Sequence, residues 1–120
     1  MHELSVCQAL IEQVERVARD NDACGVVSIV VAVGPLSGVE PDLLEHAYPI
    51  AAQGTLAERA TLTIERTPVR VRCRSCGSQS AAAANRIVCA DCGDWQVEVL
   101  EGEELLLKRV ELETTAEPVH

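Results

Sequence analysis

The chain has 120 residues, which bounds it to one domain, or one domain with a small insert. Hydrophobic residues make up 48%, which excludes wholesale disorder, while aromatics are only 2%, so Val, Leu, Ile and Ala must build the core. Ten Lys and Arg against 19 Asp and Glu give a net charge of −9, which argues against a general nucleic-acid binder, and no run of about 18 apolar residues offers a membrane span.

The first element expected is a helix over Glu3 to Asp20. Leu4, Cys7, Leu10, Ile11, Val14, Val17 and Ala18 recur at helical spacing, and Glu12, Gln13, Glu15, Arg16 and Arg19 fill the opposite face. Asn21, Asp22 and Gly25 read as stop signals, with Cys24 at the end of the helix. Val26 to Val33 is a β-branched apolar run, the pattern of a strand buried on both faces, and Gly34-Pro35 closes it. A second helix is expected from Glu40-Pro41, since proline fits the first helical position. Leu43, Leu44, Ala47 and Ala51 form its stripe, and Pro49 should kink or end it near His46 to Tyr48.

Beyond Gly54, Ala60 to Arg66 alternates as a half-buried strand. Trp95 to Leu100 alternates again, Glu101-Gly102 reads as a turn, and Glu104 to Leu112 is a last strand. In that strand Leu106, Val110 and Leu112 share one expected face, with Leu105 and Leu107 on the other. The fold class is therefore α+β, a small sheet with two helices on one face, carrying an inserted lobe that Cys73, Cys76, Cys89 and Cys92 make zinc-ribbon-like. The expected division is residues 1–67 with 104–113 as the α+β domain, 68–103 as the metal-binding lobe, and 114–120 as a polar, mobile tail.

The lobe carries the strongest chemical signal. Cys73-x-x-Cys76 and Cys89-x-x-Cys92 are each followed by glycine, Gly77 and Gly93. One tight turn aims two thiolates at one ion, and two such knuckles complete the closed four-sulfur geometry of structural zinc. The glycines are expected to relieve crowding where backbone N–H groups approach sulfur. Few large apolar residues lie in this stretch, so a metal staple would hold it. Two disulfides, a redox pair and tetrahedral iron are the competing readings. The start, Met1-His2-Glu3, lacks a basic stretch followed by an apolar one, so no secretory signal is expected. The expected location is the cytoplasm, where reduced cysteines favour metal over disulfides. Arg70, Arg72, Arg74 and Arg86 crowd into the same stretch. Local compensation of thiolate charge explains them best, and an acidic-partner or nucleic-acid patch is the sharper alternative.

His2 offers a second kind of site. The Met1 amine, the His2 backbone amide and the His2 ring can form one chelate, a donor set that favours square-planar Ni²⁺ or Cu²⁺. The Glu3 amide or a carboxylate could complete it. These features together resemble the HypA/HybF family of hydrogenase maturation nickel chaperones. The resemblance rests on Met1-His2-Glu3-Leu4-Ser5, on Gly34 with Ser37 and Val39-Glu40 after the strand, and on the paired C-x-x-C knuckles, and it extends to about Leu112. It implies a nickel site at the N-terminus centred on His2 and Glu3, with Glu40 at the position of an acidic residue before the second helix. It further implies delivery of nickel to the large subunit precursor of [NiFe]-hydrogenase together with a HypB-type GTPase, and to urease in some organisms.

The residues fit a binding and delivery protein and not an enzyme. There is no Gly-rich phosphate loop and no Ser/His/Asp set, and His2, His46 and His120 are the three histidines. Zinc is the expected structural cofactor and nickel the transferred cargo. No membrane and no nucleic-acid partner is expected. The alternative is a zinc-ribbon adaptor that binds protein or nucleic acid without a second metal.

Overall fold

The structure, a computed structural model, describes residues 2–114, with side chains from Glu3 onward. It is α+β: two helices and two three-stranded sheets, with eight elements in the order α1 (His2–Asp20), β1 (Ala23–Val33), α2 (Pro41–Ala52), β2 (Thr61–Arg66), β3 (Val69–Cys73), β4 (Gln79–Ala82), β5 (Val97–Glu101) and β6 (Leu105–Thr114). One sheet has the order β2-β1-β6 and the other β4-β3-β5. Two compact units emerge. Of the described residues, the first takes in those up to Val31, with 40–64 and 107–114, and the second 32–39 and 65–106. The second unit thus covers the expected 68–103 lobe and also takes in 32–39. Residues 115–120 of the expected tail lie outside the described residues, and Thr114 is the last residue of β6.

In the first unit the helical stripe behaves as its spacing dictates. Cys7, Ile11, Val14 and Ala18 of α1 are buried, as are Leu44, Ala47, Tyr48 and Ala52 of α2. Two hydrogen bonds add direction to this packing: the Cys7 thiol donates to the Leu44 carbonyl at 3.3 Å, and the Tyr48 hydroxyl to the Ala57 carbonyl at 2.7 Å. Burial pushes the Cys7 thiol up to about 11 and the Tyr48 phenol up to about 12. The helix ends where Asn21 N–H reaches the Val17 and Ala18 carbonyls and Asp22 turns to a φ of 55°. Cys24 and Gly25, expected at or after the helix end, are instead in β1.

One further expectation is narrowed and two are corrected. Of the two outcomes open for Pro49, ending α2 is excluded, since the helix continues to Ala52. The Pro49 ring and Glu45, whose carbonyl loses its partner, are both exposed, so water can satisfy that carbonyl. The apolar run of β1 is not buried throughout: Val27 is 50% exposed, and continuous burial begins at Val31. In β6, Leu106 is exposed while Leu105 and Leu107 are half-buried, and the inward side then passes to Val110 and Leu112. The alternation slips at Lys108-Arg109, both exposed, next to the point where the strand leaves the second unit.

The second unit is built on β3, a strand the cysteine spacing overshadowed. Val69, Val71 and Cys73 are buried, while Arg72 on the opposite face is exposed. β3 pairs antiparallel with β4, Val71 facing Ser80, and with β5, Val71 facing Val99 and Cys73 facing Val97. Gly34 packs against the turn before β6, where a Cβ would stand 2.1 Å from the Gly102 carbonyl oxygen. The Glu104 carboxylate accepts the Gly102 N–H at 2.7 Å, which lowers its pKa and pins the turn.

Candidate metal centres

The turn after β3 and the turn before β5 have one construction. In the first, Cys73 N–H donates to the Ser78 carbonyl at 2.8 Å, and Gly77 N–H to the Cys73 carbonyl at 3.0 Å. In the second, Cys89 N–H donates to the Asp94 carbonyl at 2.9 Å, and Gly93 N–H to the Cys89 carbonyl at 2.9 Å. Each turn then closes through a glycine, with φ of 76° at Gly77 and 78° at Gly93. No atom lies within 4 Å of a Cβ added at either position. The glycines therefore serve the left-handed backbone rather than relief of crowding, which corrects the expectation above.

Each turn brings N–H groups onto its first sulfur. Cys73 Sγ accepts from Ser75 N and Cys76 N, both at 3.3 Å, and Cys89 Sγ accepts from Asp91 N at 3.4 Å and Cys92 N at 3.5 Å. Cys73 and Cys89 are buried, whereas Cys76 and Cys92 are exposed. All four sulfurs lie within 4.8 Å of one another. Cys73 and Cys92 are 3.5 Å apart, and Cys76 and Cys89 are 3.7 Å apart. A tetrahedral ion with Zn–S bonds of about 2.3 Å has sulfurs about 3.8 Å apart, so a zinc ion fits this cluster. The two separations far exceed a disulfide bond of about 2.05 Å.

Electrostatics leads to the same chemistry. The Cys76 N–H, with that of Ser75, pulls the Cys73 thiol down to about 7, and the Cys92 N–H leads a like lowering of Cys89. Cys76 and Cys92 also receive N–H bonds, from Ser78 and Asp94, but their neighbouring thiols outweigh these and raise both, Cys92 to about 12. Four sulfurs cannot all ionise in one site without a cation to share. Among the described residues, the N–H donors to the Cys73 and Cys89 sulfurs are backbone groups and not arginines.

Four side chains that spacing alone did not single out tie the turns together. Ser75 Oγ donates to the Asp94 carboxylate, and Ser78 Oγ to the Asp91 carboxylate. Counted from the first cysteine, the third residue of each turn bonds the sixth residue of the other. The signal was present in the paired C-x-x-C-G repeats, with Ser75 matching Asp91 and Ser78 matching Asp94.

Of the expected nickel residues, His2, Glu3 and Glu40 fall in the first unit. Met1 lies outside the described residues, and of His2 only the backbone, at the head of α1, is described. Glu3 is a buried carboxylate, 8% exposed, and its Oε2 accepts the Glu40 N–H at 3.2 Å. Glu40 caps α2 without a side-chain bond to the helix, so its own carboxylate is uncommitted there. The structure therefore joins Glu3 to the Glu40 backbone, one residue from His2. His46 is apart from this group, on the exposed side of α2 with its Nδ1 2.7 Å from the Asp42 carbonyl oxygen.

A family model described as "Hydrogenase/urease nickel incorporation, metallochaperone, hypA" matches residues 1–112. The chain belongs to the HypA family. Among its curated HypA relatives, the hydrogenase maturation factor HypA of Nitrosospira multiformis is 53% identical, over 96% of this chain and 100% of the relative. That of Aquifex aeolicus is 40% identical, over 94% of this chain and 98% of the relative. The solution structure of the nickel metallochaperone HypA from Helicobacter pylori aligns with a TM-score of 0.68 at 27% identity, covering 93% of this chain and 97% of that one. These HypA proteins are named as maturation factors and a metallochaperone. Among the described residues, no helix is long and apolar enough to cross a membrane.

Proposed function

We propose that this HypA-family chain is a cytoplasmic nickel metallochaperone and not an enzyme. It takes Ni(II) at its N-terminus and delivers it for maturation of [NiFe]-hydrogenase, and service to urease would rest on the same donor set. The nickel ligands are the Met1 amine, the His2 amide and ring, and Glu3 or Glu40. The Cys73, Cys76, Cys89 and Cys92 thiolates hold a structural Zn(II). The functional division is residues 1–67 with 104–113 for nickel and 68–103 for zinc. The partners are a HypB-type GTPase and the hydrogenase large subunit precursor.

The observation that carries this reading is the unequal build of the two donor sets. Four converging sulfurs with backbone N–H support make a closed cage, suited to keeping an ion. The head of α1 offers few donors, one of them the Glu3 carboxylate, in a different unit. A short chelate of that kind exchanges its ion more readily, as delivery demands. The glutamate also couples the head of α1 to the start of α2, so a ligand change at Glu3 would be felt at Glu40.

The test is delivery itself. A zinc- and nickel-loaded chain is mixed with nickel-free hydrogenase large subunit precursor and a HypB-type GTPase with GTP, and nickel in the precursor is measured after separation. Transfer from the loaded chain should exceed transfer from the same amount of free nickel in the presence of a competing chelator. Equal transfer from the two sources would contradict a delivery role.

A further inference from the structure

The second unit carries an exposed face that neither metal uses. β3 turns Val69, Val71 and Cys73 inward, which sets Arg70 and Arg72 on the other face, and Arg74 continues the series just past the strand. The pairing persists there, since Arg74 N–H donates to the Gln96 carbonyl at 2.9 Å. On the β4 side this row meets uncharged neighbours, Ala81 opposite Arg70 and Gln79 opposite Arg72. On the β5 side Glu98 pairs with Arg72 at 3.4 Å, with both side chains about half exposed (47% and 51%). Glu101 is in register with Arg70, yet among the described residues neither Arg70 nor Arg74 has an ion-pair partner. A solvated pair such as Arg72–Glu98 contributes little and exchanges readily for another carboxylate.

Trp95 stands at the end of this row. It is the chain's single Trp and is 74% exposed. A depression of about 490 Å³ opens beside it, lined by Arg74, Trp95, Gln96 and Val97. An indole left in water forgoes a large apolar burial, and Trp and Arg are both enriched among the residues that carry most of the energy of protein interfaces. We propose that the outward face of the β4-β3-β5 sheet docks an acidic protein segment, its carboxylates on Arg70, Arg72 and Arg74 and an apolar side chain against Trp95.

Charge decides the class of partner. Fields are screened over about 8 Å at physiological salt, so a short segment senses the arginine row and not the −9 of the whole chain. A nucleic acid would extend beyond the row onto surface where acids outnumber bases. It would also lack the Lys-rich flanks that neutralise successive phosphates, Lys108 being the chain's one lysine. This inference goes beyond the nickel reading, because none of its residues belongs to the nickel donor set.

Trp95 emission gives a direct readout. Zinc-loaded full-length chain is titrated with a Trp-free peptide of Asp, Glu and Leu, with its Lys-for-acid counterpart, and with single-stranded DNA of equal charge. The acidic peptide should shift Trp95 emission saturably, with affinity falling as salt rises. The double variant Arg72→Gln/Arg74→Gln should weaken it by about tenfold or more with zinc content unchanged. Trp95→Ala, followed by calorimetry, should weaken it as well. A variant that lost zinc would be replaced by Arg70→Gln/Trp95→Ala, held to the same expectation. The proposal is overturned by no saturable shift with the acidic peptide, by equal binding of the Lys counterpart or of the variants, or by tighter binding of DNA. Nickel affinity should be the same with and without the peptide, which keeps this result distinct from any failure of the nickel site.

Discussion

At the scale of single residues, Gly77 and Gly93 make the sharpest case for backbone over space. Both have positive φ, and both have open surroundings. A Cβ there therefore costs only the left-handed penalty, about 1–2 kcal/mol. Gly93→Ala should lower the stability of zinc-loaded protein by that amount and so lower its thermal midpoint, while Gly93→Asn should lose less, because Asn tolerates the left-handed region. Differential scanning calorimetry of the two variants checks this, and equal losses would implicate sterics instead. Cys7 makes a second case. Its folded pKa is raised from 9.0 to about 11, and that of Tyr48 from 10.0 to about 12. The folded state keeps these protons where the unfolded chain releases them, so stability is full below pH 9 and falls as pH rises through 9 to 12. The helical signal at 222 nm, followed by thermal melts across that range, should show the fall, and Cys7→Val should flatten its lower part. A pH-independent midpoint would contradict it.

At the scale of elements, legibility tracked how local each determinant was. The α1 stripe was plain in the spacing of Cys7, Ile11, Val14 and Ala18, because helical burial depends on one repeating angle. The cysteine quartet was equally plain, because its two short spacings each build one turn. Whether Pro49 ends α2 was not legible, because its effect depends on which side of α2 faces water, a fact set by packing and not by the sequence of the helix alone. β3 announces itself in the alternation of Val69, Arg70, Val71, Arg72 and Cys73, yet five residues are too short to outweigh a motif that dominates the same stretch. The slip in β6 was not legible at all. Period two assumes that one face stays inward along the whole strand, whereas Leu105 and Leu107 give way to Val110 and Leu112. The link from Glu3 to Glu40 spans 37 positions, and no local pattern foretells it.

At the scale of the whole molecule, the second unit's core explains why a metal should be structural there. Its buried side chains are Ala32, Val33, Val39, Val69, Val71 and two of the cysteines themselves, Cys73 and Cys89. So small an apolar set needs a further staple. Cys89→Ser, or removal of zinc by a chelator, should collapse amide dispersion for residues 69–101 in an NMR spectrum while the helical signal of α1 and α2 persists. Retention of native dispersion across β3, β4 and β5 without metal would show that the sheet holds by itself. The two donor sets should therefore respond to different changes, zinc to the cysteines and nickel to the head of α1.

The most direct measurement of that separation is nickel calorimetry on three zinc-loaded proteins: the chain with a free Met1 amine, the same chain with one residue added before Met1, and His2→Gln. The added residue moves the amine out of the chelate ring without removing any side chain, and His2→Gln keeps the amine while deleting the imidazole. Amine and ring have ordinary pKa values of about 7.7–8.0 and about 6.5, so affinity should also fall as pH drops through that range. Both altered proteins should bind nickel at least about tenfold more weakly, a loss of about 1.4 kcal/mol, with zinc content unchanged. Equal nickel affinity in all three would contradict the N-terminal site.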